Sequence, residues 1–359
     1  MSQQDSNTSL SFRPEESAYM SRALSLAEYG RGYASPNPMV GAVIVGPDGR
    51  IIGEGWHRRC GSWHAEVNAV NSVALADRHL LRQSTMYVTL EPCAHYGKTP
   101  PCANLIVEQG IPRVVVATVD PFAKVAGRGI QIMRDAGVKV EVGLLGERAR
   151  ELNRKFFFAH THRRPYVTLK WARSADGYMD ARRSADNNKP FRFSVPLTTL
   201  QTMQLRADND CILTTSSTVL ADDCSLTVRG IAGRQPQAVI LDRSGRINSD
   251  SYAAFHRKDQ EDRPLPEPIV FGAEKADLAS VLASLYADYG FISVLVEAGP
   301  TMLNEFIDSN LWNEARVETA PVVLGSAGAH PAPSLKGIAP ADEYAVNANR
   351  IQWFRNPEC

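Results

Sequence analysis

Two segments far apart in this chain of 359 residues each carry part of one chemical site, so any fold it adopts must bring them together. The first, His64-Ala65-Glu66-Val67-Asn68-Ala69-Val70, reads as the opening of a helix. The second runs from Pro92 to Cys102, is rich in turn residues, and has Cys93 and Cys102 near its ends. His64, Cys93 and Cys102 are soft or borderline ligands suited to one zinc ion. Three such ligands leave a fourth coordination position open, the feature that separates a catalytic zinc from a structural one, because water bound there is acidified. Glu66 is too hard a ligand to be preferred over thiolate. Two residues from His64, it is the natural proton carrier.

The length exceeds one ordinary compact core and predicts two domains. Lys plus Arg equals Asp plus Glu at 39 each, so no basic field gathers nucleic acid and no acidic surplus points to a cationic partner. A small-molecule substrate fits this balance. The polar N-terminus lacks the order of a secretory signal, and no run approaches the roughly 20 apolar residues of a membrane span. A soluble, cytoplasmic protein is expected, with no nucleic acid or membrane partner, and a homo-oligomeric state. Six cysteines are too few for a disulfide framework, and Cys60, Cys211, Cys224 and Cys359 are expected to be free thiols.

Hydrophobic periodicity predicts α/β architecture in both halves. After a polar tail over 1–14, a helical stripe runs from Glu15 to Tyr29. Strands Val40–Val45 and Ile51–Trp56 flank the turn Pro47-Asp48-Gly49. A helix from His64 to about Ala76, strand Met86–Leu90, helix Cys102–Gln109, strand Arg113–Val119, helix Gly129–Ala136 and strand Val138–Leu145 complete a first domain over 15–150. Periodicity lapses over 151–165, where Phe156, Phe157 and Phe158 are expected to pack a linker onto a domain. The charged run His160 to Arg164 reads as a solvated connector rather than a nucleic-acid or metal site. A second α/β domain over 166–359 follows, with strands Tyr166–Trp171, Cys211–Thr214, Ala238–Leu241, Ile269–Phe271 and Ile292–Glu297. Its helices are Leu197–Arg206 and Ala276–Tyr289, and its end is strand-like over Ala315–Leu324 and Arg350–Phe354.

Taken singly, a His on a helix or a Cys in a turn is more often packing than ligand. Jointly, His-Ala-Glu followed by Pro-Cys and a second Cys is the signature of zinc nucleobase deaminases. Its commonest form spaces the cysteines C-x-x-C, whereas here eight residues intervene. That insert carries His95, Lys98 and Thr99, a cation with polar donors suited to a phosphorylated substrate; the plainer reading is a polar turn. His95 rivals His64 as a ligand, but a helix holds a ligand on the scaffold while a loop His can point at substrate. Asn37, between Pro36 and Pro38, offers a paired donor and acceptor for a pyrimidine edge, unless the segment is a simple turn.

With these motifs the chain resembles the bifunctional deaminase/reductases of riboflavin biosynthesis, from Tyr19 to about Gly325. The first half shows Pro36-Asn37-Pro38-Met39-Val40-Gly41, His64-Ala65-Glu66, Thr89-Leu90-Glu91-Pro92-Cys93-Ala94-His95, Gly97-Lys98-Thr99-Pro100-Pro101-Cys102 and Val125-Ala126-Gly127-Arg128-Gly129. The second shows Ser174-Ala175-Asp176-Gly177, Leu205-Arg206-Ala207, Thr218 to Asp223, Leu226 to Arg229 and Val296-Glu297-Ala298-Gly299-Pro300-Thr301. The resemblance implies a cytidine-deaminase-like α/β/α sandwich followed by a dihydrofolate-reductase-like α/β domain, with Zn2+ and NADPH as cofactors. It implies hydrolytic loss of the 2-amino group of 2,5-diamino-6-(5-phosphoribosylamino)pyrimidin-4-one, then hydride transfer to C1 of the ribose to give a ribityl chain.

By this resemblance His64, Cys93 and Cys102 bind zinc and Glu66 shuttles protons. Lys170, Arg206, Leu226, Arg229 and Glu297 fall to the reductase substrate, with Lys170 and Glu297 as candidates for positioning and proton supply. The arginines suit its 5-phosphate by fork geometry, unless they are surface ion pairs. Ala172, Thr218, Asp222 and the turn Gly299, Pro300, Thr301, Met302, Leu303 fall to NADPH. Independently, Gly299 ending a strand and Pro300 opening a helix predict outward-facing N–H groups over 299–303 that suit a dinucleotide phosphate.

One stretch departs from the family pattern: where a small-residue turn and Ser-x-Trp-Ile are usual, this chain has Asp186-Asn187-Asn188-Lys189-Pro190-Phe191-Arg192-Phe193-Ser194. Arg192 or Phe193 is expected in place of the tryptophan, and Arg243 is a candidate for the 2′-phosphate of NADPH. The competing readings are a zinc-stabilised binding module, a deaminase acting on nucleic acid, and a deaminase whose second half is inactive. The open fourth position argues against the first. Neutral charge argues against the second. Lys170, Asp176, Arg206, Asp222, Arg229 and Glu297 together argue against the third.

Overall fold

The computed structural model describes residues 12–94, 100–121, 127–184, 188–247, 250, 252–275, 277–335 and 337–358. The chain divides into two compact units, one ending at Thr161 and the next starting at His162.

In the first unit, helix α1 (Pro14–Glu28) precedes the hairpin β1 (Gly41–Val45) and β2 (Ile51–Trp56). Then come α2 (Ala65–Ser72), β3 (Thr85–Val88), α3 (Cys102–Glu108), β4 (Arg113–Val116), α4 (Arg128–Asp135), β5 (Lys139–Val142), α5 (Gly146–Leu152) and α6 (Arg154–His162). The sheet order is β2-β1-β3-β4-β5, antiparallel through β3 and parallel beyond it. Met20 and Leu24 of α1 and Ala149 of α5 pack on one face against Val43, Tyr87 and Val115. On the other, Ala69 and Val70 of α2, Ile106 of α3 and Met133 of α4 cover Ile44, Val88 and Val116. The result is the expected α/β/α sandwich.

Two expectations change here. Helix α2 stops at Ser72, not near Ala76, and a 3-10 segment follows from Leu75 to Gln83. The Ser72 hydroxyl bonds back to the Ala69 carbonyl and accepts the Glu54 N–H, which competes with helix continuation. The expected linker over 151–165 is largely helical, within α5 and α6, because Phe156 and Ala159 recur at i, i+3 and are both buried.

In the second unit the eight-stranded sheet has order β10-β9-β8-β11-β6-β12-β15-β14. Its strands are β6 (Tyr166–Arg173), β8 (Cys211–Thr215), β9 (Gln237–Leu241), β10 (Ile269–Phe271), β11 (Ser293–Val296), β12 (Glu314–Thr319), β14 (Asp342–Val346) and β15 (Asn349–Arg355). All pair in parallel except β15, antiparallel to both β12 and β14. A separate ribbon joins β7 (Tyr178–Ala181) to β13 (Gly328–Pro331). Helices α9 (Leu278–Ala287) and α10 (Pro300–Asp308) bury Val281, Leu285, Leu303 and Phe306 against Val167, Leu169, Val294 and Val296. Leu205 of α7 (Pro196–Ala207) packs on the opposite face against Ile212, Ala238 and Leu295. The ribbon, β14 and the short α8 (Ser216–Asp222) are absent from the sequence reading, and the strand expected over Ala315–Leu324 ends at Thr319, before Pro321. Among the described residues no helix is long and apolar enough to cross a membrane.

One buried ion pair braces the first unit. Glu16, 2 % exposed, accepts from Arg113 on β4 (2.5 Å), from Tyr87 on β3 (3.1 Å) and from the Arg13 N–H (2.8 Å). Burial alone raises its pKa, but the Arg113 and backbone hydrogen bonds outweigh this and hold it near 2, against an ordinary 4.5. A depressed carboxylate adds stability that is full above the unfolded value and lost as pH falls through the folded one. Glu16→Gln should therefore cost about 2–3 kcal/mol at neutral pH. In denaturation series across pH, the gap between wild type and variant should close between pH 4.5 and 2.

Candidate active sites

At the first site, His64 is the N-cap of α2 and Cys102 the first residue of α3, so two helix starts present ligands to one point. Helix α2 lies against β2 at backbone contact: a Cβ on Gly55 would fall 2.3 Å from the Ala69 nitrogen. The Cys93 turn is set by a similar contact, since a Cβ on Gly129 would lie 1.9 Å from the Pro92 carbonyl oxygen. Buried Glu91 completes that anchor by accepting the Gly127 and Gly129 N–H groups at the start of α4, each at 2.9 Å.

The His64 Nδ1 lies 3.6 Å from Cys93 Sγ and 3.4 Å from Cys102 Sγ, and the three donor atoms are all within 4.8 Å of one another. Tetrahedral zinc bonds of ordinary length place nitrogen and sulfur ligands about 3.6 Å apart, so the residues fit the ion. The hydrogen bond between the two thiols is the largest cause lowering Cys93 to about 4 and pushing Cys102 up. Glu66, 3 % exposed in the first turn of α2, is raised to about 7, first by burial and then by the charge of Cys93. A buried carboxyl beside the ligand set is placed to take and return a proton. His95, Lys98 and Thr99 lie outside the described residues.

His57 is a site residue that sequence reasoning missed. It is 3 % exposed, its ring lies 5.4 Å from that of His64, and its Nδ1 is 3.1 Å from the Trp63 carbonyl. A carbonyl only accepts, so Nδ1 carries the hydrogen and Nε2 is an acceptor. Nε2 receives the Asn37 amide N–H at 3.1 Å, which turns the Asn37 Oδ1 away from His57. The fixed tautomer thus fixes the orientation of Asn37. No motif marked His57, since its role depends on partners 20 residues back and 6 residues on.

At the second site a cavity of about 1170 Å³ is lined by Lys170, Ala172, Arg192, Arg206, Thr218, Asp222, Leu226, Arg243, Glu297, Gly299, Pro300, Thr301 and Met302, with Phe193 among them. Lys170 is level with Arg316 on β12 by strand register, and Glu297 follows the end of β11 beside it. Burial lowers the Lys170 pKa, opposed by the Glu297 charge. Glu297 receives the Arg206 Nε at 2.9 Å and Nη2 at 2.7 Å. Burial would raise Glu297, but Arg206 and Lys170 hold it near 2.

This geometry changes several expectations. Glu297 stays ionised at neutral pH, so it suits positioning and not proton supply. Arg206 spends three N–H groups on Glu297 and the Thr227 carbonyl, which leaves two of five for a phosphate. Arg229 is exposed, bonds to the Ser225 and Thr227 hydroxyls, and is not among the lining residues. Leu303 is fully buried core, and its N–H is bonded within α10 to the Gly299 carbonyl, so only 299–302 border the cavity. At Gly299 an added Cβ would meet no protein atom within 4 Å, leaving the backbone open to a bulky ligand. Arg243 lines the cavity but is held bidentately by Glu305 at 2.8 and 2.6 Å, which takes the fork a 2′-phosphate would need.

Three further features were not read from the sequence. Leu226 adopts a left-handed backbone at φ 53°, uncommon for a branched residue. Buried Arg257 reaches the Ser225, Leu226 and Pro236 carbonyls and holds that segment. Cys224 also lines the cavity, and burial pushes its thiol up to about 12. No disulfide is formed among the described residues, and Cys60 is exposed.

The comparisons match both units. Residues 13–118 match the cytidine and deoxycytidylate deaminase zinc-binding region, and residues 165–351 the RibD C-terminal domain. The chain is 35 % identical to the riboflavin biosynthesis protein RibD of Aquifex aeolicus, covering 86 % of this chain and 87 % of that protein. It is also 35 % identical to that of Escherichia coli, covering 92 % and 95 %. Among solved structures, Acinetobacter baumannii RibD matches with TM-score 0.84 at 32 % identity, covering 95 % of this chain and 98 % of that one. A diaminohydroxyphosphoribosylaminopyrimidine deaminase/5-amino-6-(5-phosphoribosylamino)uracil reductase from Thermotoga maritima matches with TM-score 0.82 at 31 % identity, covering 95 % and 98 %. Likeness at this level runs through the zinc-ligand unit and the cavity-bearing unit alike, and the chain belongs to the RibD family of bifunctional deaminase/reductases of riboflavin biosynthesis, which use Zn2+ and NADPH.

Proposed function

We propose that the first unit removes the 2-amino group of 2,5-diamino-6-(5-phosphoribosylamino)pyrimidin-4-one and that the second reduces the ribosyl group of the product. The observation that carries the reading is the convergence of His64 Nδ1 with the sulfurs of Cys93 and Cys102 beside a buried carboxyl. Zinc, when bound, supplies a position at which water is acidified toward neutral pH. Asn37, held by His57, orients the pyrimidine edge through its Oδ1. Glu66 takes a proton from the attacking water and delivers it to the leaving amino group as the C–N bond breaks and a C–O bond forms, releasing ammonia.

In the second unit NADPH, when bound, supplies a hydride to C1 of the ribose. Lys170 is our candidate for the accompanying proton, because burial weakens its hold on that proton. Glu297 offsets the Lys170 charge and orients Arg206, and Arg206 and Leu226 border the substrate. Arg229 lies outside the cavity lining and is assigned to the 5-phosphate as the part of the substrate that reaches beyond it. Ala172, Thr218, Asp222 and the turn 299–302 are assigned to the cofactor. A cytoplasmic homo-oligomer remains our expectation, to be tested by light scattering.

The decisive experiment is metal analysis followed by assay of the phosphoribosyl diaminopyrimidinone with and without NADPH, reading ammonia and NADPH oxidation separately. Glu66→Gln should keep its zinc while ammonia release falls by about 10²–10⁴-fold. NADPH oxidation with the deaminated intermediate should be unchanged in that variant. Arg243→Ala should leave the preference for NADPH over NADH as in wild type, since Glu305 already occupies the guanidinium. A lost preference would restore Arg243 as the 2′-phosphate reader.

A further inference from the structure

We propose that Glu318 is a positioning residue that clamps residues 191–194 as one wall of the cavity in the second unit and thereby sets the affinity for NADPH. The inference rests on the cofactor reading above.

Glu318 lies on β12, in register with cavity-lining Ala172 on β6, and is fully buried. Its carboxylate gathers donors from three other segments. The Thr198 hydroxyl on α7 reaches Oε1 at 2.6 Å, the Asn349 amide on β15 reaches Oε1 at 2.6 Å, and the Ser194 hydroxyl reaches Oε2 at 2.8 Å. Arg316 Nη1 stands 3.6 Å from Oε2. Asn349 also donates to the Phe193 carbonyl at 2.9 Å, so two consecutive residues of the wall are tied to one buried pair.

The other end of the segment is tied to a second carboxylate. The Phe191 N–H donates to Asp180 Oδ1 at 2.8 Å, and Asp180 is bound by Arg183, which reaches on to Asp222 at 2.5 Å. Phe191, Arg192, Phe193 and Ser194 all border the cavity, and the two phenyl rings lie 4.8 Å apart. Between the two clips the segment presents an aromatic face and a guanidinium, a combination suited to a flat ring joined to phosphates.

The clamp is stiff for an electrostatic reason. A carboxylate taken fully out of water is tolerated only while its oxygens are satisfied, so movement of Ser194 leaves part of a buried charge without a donor. The placement of the segment rests on these contacts at its two ends.

The test uses full-length, zinc-loaded enzyme, with direct NADPH titration and steady-state kinetics on wild type, Ser194→Ala, Glu318→Gln and Glu318→Ala. Ser194→Ala removes one charge-assisted bond from the wall and leaves Lys170, Arg206 and Glu297 in place. It should weaken NADPH binding, and raise KM for NADPH, by about 10-fold, with kcat at saturating NADPH within about two-fold. Glu318→Gln, which keeps an acceptor for Thr198 and Asn349, should fall between wild type and Glu318→Ala. A KM for NADPH within two-fold of wild type in Ser194→Ala would overturn the proposal, even if Glu318→Ala lost thermal stability or failed to fold, because the clamp would then be structural only. Wild-type enzyme that showed no saturable NADPH binding would instead remove the cofactor reading and this inference with it.

Discussion

Backbone touching backbone without an intervening side chain is the constraint on which the zinc-ligand geometry depends. At Gly55 helix α2 rests directly on its strand, and at Gly129 the start of α4 rests directly on the Pro92 carbonyl. A methyl group at either point would drive the elements apart by an ångström or more. Metal sites accept errors of only about 0.2 Å in ligand distance, so the ligands depend on contacts that no ligand residue makes. Glu91 adds to this by capping α4 with its carboxylate, which locks the residue two before Cys93.

The second unit meets a different problem, the placement of several charges on one buried sheet face. Arg316 and Glu318 are almost inaccessible, Lys170 sits in register beside Arg316, and Glu297 and Arg206 complete the group. Desolvation opposes every one of these charges. The carboxylates remain ionised because each collects donors, Glu297 from Arg206 and Glu318 from Thr198, Asn349 and Ser194. Burial and the nearby Arg316 and Arg206 charges act against the Lys170 ammonium, and its proton is correspondingly less firmly held. Two neighbouring groups of opposite charge are thus pushed toward the same end, a fixed anion next to a labile cation.

How far the amino-acid order discloses this depends on the range of the interactions. His64, Glu66, Cys93 and Cys102 lie in local motifs whose spacing reports helix starts, and the structure brings the three ligands together. His57 and Glu318 gain their roles from register and tertiary contact, which leave no local trace. Strand β12 is the clearest case: Glu-Ala-Arg-Val-Glu-Thr alternates like a half-exposed strand, yet its charged side is covered by α7 and wholly buried. Alternation identifies two faces but not what covers the polar one. Likewise, three adjacent phenylalanines conceal the i, i+3 stripe of α6, position after a strand does not reveal that Glu305 holds Arg243, and place in the 299–303 turn does not reveal that Leu303 is core.

Cys224 shows what burial does to thiol reactivity within this chain. Burial holds its proton well above the ordinary thiol range, so little of the nucleophilic form is present at pH 7. Alkylating reagents and peroxides should pass it by, despite its place on the wall of a ligand cavity, and find exposed Cys60 first. Among the described cysteines, a maleimide dye or spin label would therefore reach Cys60 of metal-loaded enzyme before Cys224, leaving the chamber in the second unit open.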